Sequence, residues 1–205
     1  MAATATPFGL KPVNLIGGQA FNGGAIREYL LPSNVAAAYY TGSVIYMNTN
    51  GVPTMIAATP TAGTTAGILG VMVGVRYTDP NLKYTVFGQY LPSGAYTAGY
   101  RDIYIRVCDD PGQLYSIQAA TVIGSKTNGA RGAIGQNAAL SGFSGSATTG
   151  LADTALATGS NWGSCASTNT LAMRIVDIIT PDDTYPEVLV KFNQGVHSYL
   201  FSTGV

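Results

Sequence analysis

The chain contains one histidine, His197, so any catalytic scheme that needs an imidazole base depends on it. Ser144, then Asp153 or Asp177, then His197 follow the order serine, acid, histidine of one hydrolase class. The serine lies in Gly142-Phe-Ser-Gly-Ser146, which lacks the closing glycine of a G-x-S-x-G turn. No strand followed by a helix is predicted around it. The sequence therefore favours a solvated or interface position for His197 over a catalytic one.

Two pairs of adjacent carboxylates, Asp109/Asp110 and Asp182/Asp183, raise the alternatives of a glycosidase or a calcium site. Glycosidic cleavage needs two carboxylates facing each other about 5 to 9 Å apart, whereas neighbours on a strand point to opposite faces. Both pairs adjoin a proline, where Asp commonly starts a turn. The spaced acidic loop of an EF-hand is absent. Both pairs are therefore predicted to form turns.

Phosphate, metal and redox chemistry have little support in the remaining residues. A phosphate-binding loop follows a strand and ends in Lys-Ser/Thr. The glycine-rich segment 17–24 has neither feature. Cys108 and Cys165 lie far apart, with no CxxC motif and no histidine cluster. We expect no cofactor, no metal and two reduced thiols, and we expect that the protein is not an enzyme.

Charge is scarce and balanced in this sequence. Ten Lys and Arg residues face ten Asp and Glu, and charged residues make up 10% of the chain, where an ordinary domain has about 25%. Nucleic acid and anionic membranes bind basic patches, so neither is expected as a partner. The longest apolar run, Ile68 to Val75, is too short for a membrane helix. The N-terminus has no secretory signal, so synthesis in a cytoplasm is expected.

The elements that would position any site are predicted to be strands. Residues 100–108 alternate with period two, so Ile103, Ile105 and Val107 are predicted to face a core while Tyr104 and Arg106 face outward. Asn48 to Gly51 is a hairpin turn in which Asn and Gly supply positive φ angles. Other strands are predicted at 40–47, 52–56, 67–77, 83–90, 114–120, 171–179 and 187–193.

The predicted fold class is mainly β: an antiparallel β-sandwich or β-barrel-like domain with long Gly/Ala/Ser/Thr-rich loops. Residues 31–205 are expected to form one domain, with a loop-rich excursion of short strands and turns at 124–170. Residues 1–30 are expected to form an extended N-terminal arm. Its apolar side chains have too little local structure to cover one another, so they are candidate contacts with another protein surface: Pro7, Phe8, Leu10, Val13, Leu15, Ile16 and Phe21.

Six stretches of the sequence carry a family resemblance: Pro7-Phe-Gly-Leu-Lys-Pro-Val13, Arg27-Glu-Tyr-Leu-Leu-Pro32, Gly42-Ser-Val-Ile-Tyr46 with Asn50-Gly51, Gly67 to Tyr77, Asp109-Asp-Pro111, and Glu187-Val-Leu-Val-Lys-Phe-Asn193. Together they resemble a family of tailed-bacteriophage virion structural proteins, the head decoration or cement proteins. This resemblance makes a capsid or a neighbouring subunit the surface that the apolar arm residues would contact.

The resemblance implies a β-rich subunit that binds the outside of an assembled phage capsid and reinforces the shell against internal DNA pressure. It implies the major capsid protein as partner, a homo-oligomer that is often a trimer, and a place on the capsid surface of the virion. Thirteen tyrosines suit such interfaces. The alternatives are a tail-tube or other virion β-protein, and a glycan-binding receptor module or glycan hydrolase that uses Trp162, tyrosines and an Asp pair.

Overall fold

A computed structural model of the chain describes residues 5–20, 26–61, 67–121, 123, 130–157, 165–180 and 184–200. Four residues considered above lie outside this part: Phe21, Trp162, Asp182 and Asp183. The strands in chain order are β1 (Lys11–Leu15), β2 (Ile26–Leu30), β3 (Tyr39–Tyr40), β4 (Val44–Met47), β5 (Pro53–Met55), β6 (Ile68–Thr78), β7 (Thr85–Gly88), β8 (Tyr90–Leu91), β9 (Arg101–Cys108), β10 (Gln113–Gln118), β11 (Asn137–Ser141), β12 (Ala155–Ala157), β13 (Met173–Ile178) and β14 (Glu187–Phe192).

These strands form two larger antiparallel sheets and one small one. Sheet 1 has the order β1-β10-β14-β13-β11-β12, and sheet 2 has the order β2-β9-β6-β4-β5, with β7 also paired to β6. Strands β3 and β8 form a two-stranded sheet. The prediction of a mainly β, antiparallel fold is confirmed. The arrangement is sandwich-like and not a closed barrel, because each large sheet ends in edge strands.

The core has two parts, one on each side of sheet 2. The larger part lies between the two large sheets, with Tyr115, Ile175 and Val190 from sheet 1 meeting Val71 and Cys108 from sheet 2. The smaller part lies beneath the opposite face of sheet 2 and is covered by β3, β8 and their loops. Strand β6 is central in sheet 2 and buried on both faces over most of its length, which explains its nearly uninterrupted apolar sequence.

The alternation along 100–108 is confirmed. Ile103, Ile105 and Val107 are all fully buried, while Tyr104 and Arg106 lie on the opposite face of β9. The hairpin of β4 and β5 is also present, with Pro53 as the first residue of an edge strand. This is where a proline, which has no N–H to donate, disturbs the sheet least.

The expected arm at 1–30 differs most from the structure. Strand β1 pairs with β10 and β2 pairs with β9, so the segment provides an edge strand to each large sheet. Leu10 is 1% exposed within the larger core. Gly9 has φ +75°, and a Cβ there would lie 2.7 Å from the backbone of Gly42. Strands β1 and β2 have five residues each, which is too short for a clear periodicity, and their partners β10 and β9 lie far away in the sequence. The sequence alone therefore indicated only an extended chain.

The Gly/Ala/Ser/Thr-rich tract 124–170 contributes structure through small side chains. Strands β11 and β12 extend sheet 1, and Ala138, Leu140 and Leu156 are fully or almost fully buried in the larger core. The tract also contains a 3-10 turn at Ala130–Ala133, which is followed by β11. Alanine fills the space between closely packed strands, so few large apolar residues are needed there.

Candidate functional site

His197 lies in the turn that follows β14, and its side chain is fully buried. The expectation of a solvated or interface residue is therefore wrong. The imidazole lies between the rings of Phe192 and Tyr199, with centroids 6.3 Å and 5.3 Å away. Its Nδ1 accepts the Tyr199 backbone N–H at 3.3 Å, so in the neutral ring the proton is on Nε2. That N–H has no acceptor among the described residues.

Burial determines the protonation state of His197. Desolvation disfavours the charged imidazolium and lowers the pKa of His197 to about 4, although nearby Asp109 acts in the opposite direction. The ring is therefore neutral at pH 7. Protonation is costly to the fold because the ring is buried and because a proton on Nδ1 would remove the acceptor of the Tyr199 N–H.

Asp109 is the centre of a buried polar cluster beside His197. The carboxylate is 2% exposed, and its Oδ2 accepts the hydroxyls of Tyr29 at 2.7 Å and Tyr199 at 2.6 Å. The same oxygen lies 3.3 Å from Nε of Arg27. These contacts join β2, the end of β9 and the C-terminal segment. We call Arg27, Tyr29, Asp109 and Tyr199 the Asp109 cluster.

In the Asp109 cluster, two phenol hydroxyls and one guanidinium surround a single carboxylate. Burial, followed by its hydrogen bonds, raises the pKa of Tyr29, and burial followed by the bond to Asp109 raises the pKa of Tyr199. The Asp109 charge raises the pKa of Arg27. Both phenols therefore stay protonated at neutral pH, and the two hydroxyls and the Arg27 guanidinium fix the position of the Asp109 carboxylate.

The turn predicted at Asp109-Asp110-Pro111 is formed by the second aspartate. Asp110 Oδ1 accepts the Gly112 N–H at 2.6 Å, and its carbonyl accepts the Gln113 N–H at 3.1 Å. Sequence reasoning assigned both aspartates to the turn and missed the role of Asp109. No local signal reveals that role, because its partners lie 80 to 90 positions away.

The structure brings two of the hydrolase candidates together but does not add the histidine. The Ser144 backbone N–H donates to Asp153 Oδ1 at 2.8 Å, whereas Asp177 Oδ1 accepts the N–H of the next residue. His197 instead has the neighbours described above. Within the described part of the chain no group of three His, Cys, Asp or Glu side chains could hold a metal ion. Burial raises the pKa of the Cys108 thiol to about 11.

The predicted contact residues of the N-terminus are divided between core and surface. Leu10 is buried and so cannot be a surface contact, which corrects that assignment. Pro7, Val13 and Ile16 are exposed, the last two at 42% and 57%. Phe8 and Leu15 are half-buried, and the Lys11 ammonium lies 4.0 Å from the centre of the Phe8 ring. The exposed members line the β1 edge of sheet 1.

A second exposed apolar surface lies on sheet 2, and the sequence alone did not reveal it. The strand registers place Leu30, Tyr104, Arg76 and Phe87 in one row across β2, β9, β6 and β7. Leu30 is 55% exposed and Phe87 is 66% exposed. We call these four residues the sheet-2 patch. The alternation of β9 predicted an outward Tyr104, but Leu30 and Phe87 join it only through the strand order.

Charged groups in the sheet-2 patch are held by local partners. The Arg76 guanidinium lies 3.9 Å from the centre of the Tyr104 ring, and its Nε donates to Glu28 at 2.6 Å. Arg106 Nε lies 4.0 Å from the same Glu28 carboxylate. Because Glu28 offsets one of the two arginine charges and Arg76 stacks on Tyr104, the row is an ordered surface that carries one net positive charge.

Comparisons with known proteins return no match: no family model fits the chain, and neither a curated protein nor a solved structure is similar to it. Among the described residues, no helix has the length and apolar character needed to cross a membrane.

Proposed function

We propose that this chain is a non-enzymatic structural virion protein that binds the outside of a phage capsid as a homo-oligomer, often a trimer, and stabilises the shell. The observation that carries the proposal is the sheet-2 patch, in which the exposed side chains of Leu30 and Phe87 flank Tyr104 and Arg76, on a protein whose charged residues make up only 10% of the sequence. Large apolar side chains exposed together on one face of a folded protein are typical of a site of protein association. The capsid is proposed as the partner because the sequence resembles phage head decoration proteins.

Two separate surfaces suit a bridging role. The sheet-2 patch lies on one large sheet, and the exposed residues Pro7, Val13 and Ile16 lie along the β1 edge of the other. We assign the sheet-2 patch to the capsid and the β1 edge to a neighbouring copy. Binding to the assembled shell but not to free capsid subunits stabilises the shell by mass action.

The test is co-sedimentation of the purified protein with capsids of the phage that encodes it. The double variant Leu30→Ser/Phe87→Ser should bind at least tenfold more weakly, since each apolar side chain buried in a contact contributes about 1.5–3 kcal/mol. Leu82→Ser is the matched control, because Leu82 is 53% exposed but lies outside the row. Binding should persist at high salt because the contacts are mainly uncharged.

The alternative functions give different results in the same assay. Saturable binding to tails or to host polysaccharide without binding to capsids would replace the capsid proposal with the tail-tube or receptor-binding alternative. If the double variant still binds capsids as strongly as the wild type, the capsid remains the partner, but the assignment of the sheet-2 patch to that contact is wrong. Oligomeric state is read from the mass in solution, where a trimer has three times the chain mass of 21.2 kDa.

A further inference from the structure

A cleft of about 780 Å³ lies on the outer face of sheet 1, away from the Asp109 cluster and the sheet-2 patch. Strands β13 and β14 form its floor, the turn after β14 forms one wall, and the segment Ser167–Asn169 forms another. Its lining combines two cations, Arg174 and Lys191, with amide side chains and a few apolar residues. Among the described residues, no carboxylate lines it.

The two cations are direct neighbours without a counter-charge. Arg174 of β13 is the register partner of Lys191 of β14, and like charges directly opposite on adjacent strands destabilise a sheet. Within the described part of the chain, neither has a carboxylate oxygen within 4.0 Å. Two arginines of sheet 2 differ from Arg174 in this respect, because Arg27 pairs with Asp109 and Arg76 pairs with Glu28. An unfavourable pair at the floor of a cleft points to an anionic ligand.

A buried amide orients the guanidinium of Arg174. Its Nε donates to Asn137 Oδ1 at 2.9 Å, and Asn137, only 2% exposed, donates through Nδ2 to the Thr168 carbonyl at 2.8 Å. The terminal nitrogens of Arg174 have no acceptor among the described residues. A guanidinium held through Nε presents the geometry that binds a carboxylate with two parallel hydrogen bonds.

The rest of the cleft favours a peptide over a sugar. Asn169 and Gln194 at the rim can donate to and accept from peptide groups. Ile16 and Leu200 are 57% and 41% exposed beside them, where they can cover an apolar side chain. A sugar ring would need an exposed aromatic face, but the aromatic lining residue, Phe192, is 2% exposed.

We propose that this cleft binds an extended acidic segment of a partner protein. An Asp or Glu carboxylate of that segment pairs with Arg174 and Lys191, and a flanking apolar side chain packs on Ile16 and Leu200. The inference shares Ile16 with the proposed β1-edge contact but uses no residue of the sheet-2 patch, and its test needs only the purified chain.

The test is titration of the ¹⁵N-labelled protein with acetyl-Leu-Asp-Leu-amide, observed by NMR. The expected result is saturable shifts of the Arg174 side-chain Nε–H signal and of backbone signals around the cleft, with affinity that falls as salt is added. The isosteric probe acetyl-Leu-Asn-Leu-amide should bind at least tenfold more weakly. The double variant Arg174→Gln/Lys191→Gln should lose at least tenfold in affinity, while Lys83→Gln, at an exposed charge in the turn between β6 and β7, should change nothing.

Several results would overturn the proposal. These are absence of binding, equal binding of the Asp and Asn probes, retained affinity in the double variant, and binding of a glucuronate trisaccharide without binding of the peptide. A second measurement tests the premise in the free protein. Lys191→Gln should leave the melting temperature unchanged or raise it, because it removes a like-charge neighbour of Arg174; a lowered melting temperature would mean that Lys191 already has a favourable partner.

Discussion

The stability of the fold should depend on pH through one buried side chain. His197 is the single histidine of the sequence, and burial lowers its pKa to about 4 in the folded state, against about 6.5 in the unfolded chain. Between these two values the unfolded chain binds a proton that the folded chain excludes. Stability is therefore complete above about pH 6.5 and is lost progressively as the pH falls towards 4.

The size of this effect follows from the two pKa values. From pH 7 to pH 5, linkage predicts a loss of about 2 kcal/mol in the free energy of unfolding. Carboxylates contribute little in this window, because their ordinary pKa values lie near 4. The loss is a large fraction of the stability of a domain, which is typically about 5–15 kcal/mol.

Urea unfolding at a series of pH values measures the loss, and His197→Gln is the control because it cannot titrate. The variant should lose less than about 0.5 kcal/mol over the same window, whatever its stability at pH 7. NMR titration of the imidazole Cε1–H should give a midpoint near 4. A midpoint near 6.5, or an equal loss of stability in wild type and variant, would refute the burial of a neutral His197.

Further predictions follow from the core and the Asp109 cluster. Leu10→Ala should lower the free energy of unfolding by about 2–5 kcal/mol, while Val13→Ala, at an exposed position of β1, should change it by less than about 0.5 kcal/mol. If urea unfolding gives equal effects for the two variants, the N-terminal segment is an arm outside the core. Asp109→Asn should cost about 2 kcal/mol, because three contacts to one charged oxygen become neutral or are lost; an unchanged unfolding midpoint would contradict this. Gly70→Ala should prevent stable folding, as judged by circular dichroism, since the new Cβ would lie 2.0 Å from the Cys108 carbonyl oxygen; a native-like spectrum and melting temperature would show that the strands can separate there.

Strands with a strong local pattern were predictable from sequence. The alternation of β9 and the apolar run of β6 gave both the element and its buried face, because each strand is long and its environment is uniform along each face. The hairpin of β4 and β5 was predictable because its turn residues require particular φ angles. These are properties that adjacent residues determine.

Features built from distant segments were not predictable in this way. Strand β1 is identified by its pairing with β10, about 100 positions away, and the Asp109 cluster joins residues from three separate segments. In the same way, the pairing of Arg174 with Lys191 depends on the register between β13 and β14. A single sequence does not show which distant residues pair. The burial of His197, the sheet-2 patch and the cleft on sheet 1 are therefore visible only in the folded structure.

The most direct test of the central claim is the thermal stability of phage particles with and without this protein. The account predicts that particles lacking it release their DNA at a lower temperature, and that adding back the purified protein restores the wild-type value. The Leu30→Ser/Phe87→Ser variant should fail to restore it, whereas Leu82→Ser should succeed. Particles that release DNA at the same temperature with and without the protein would contradict the account.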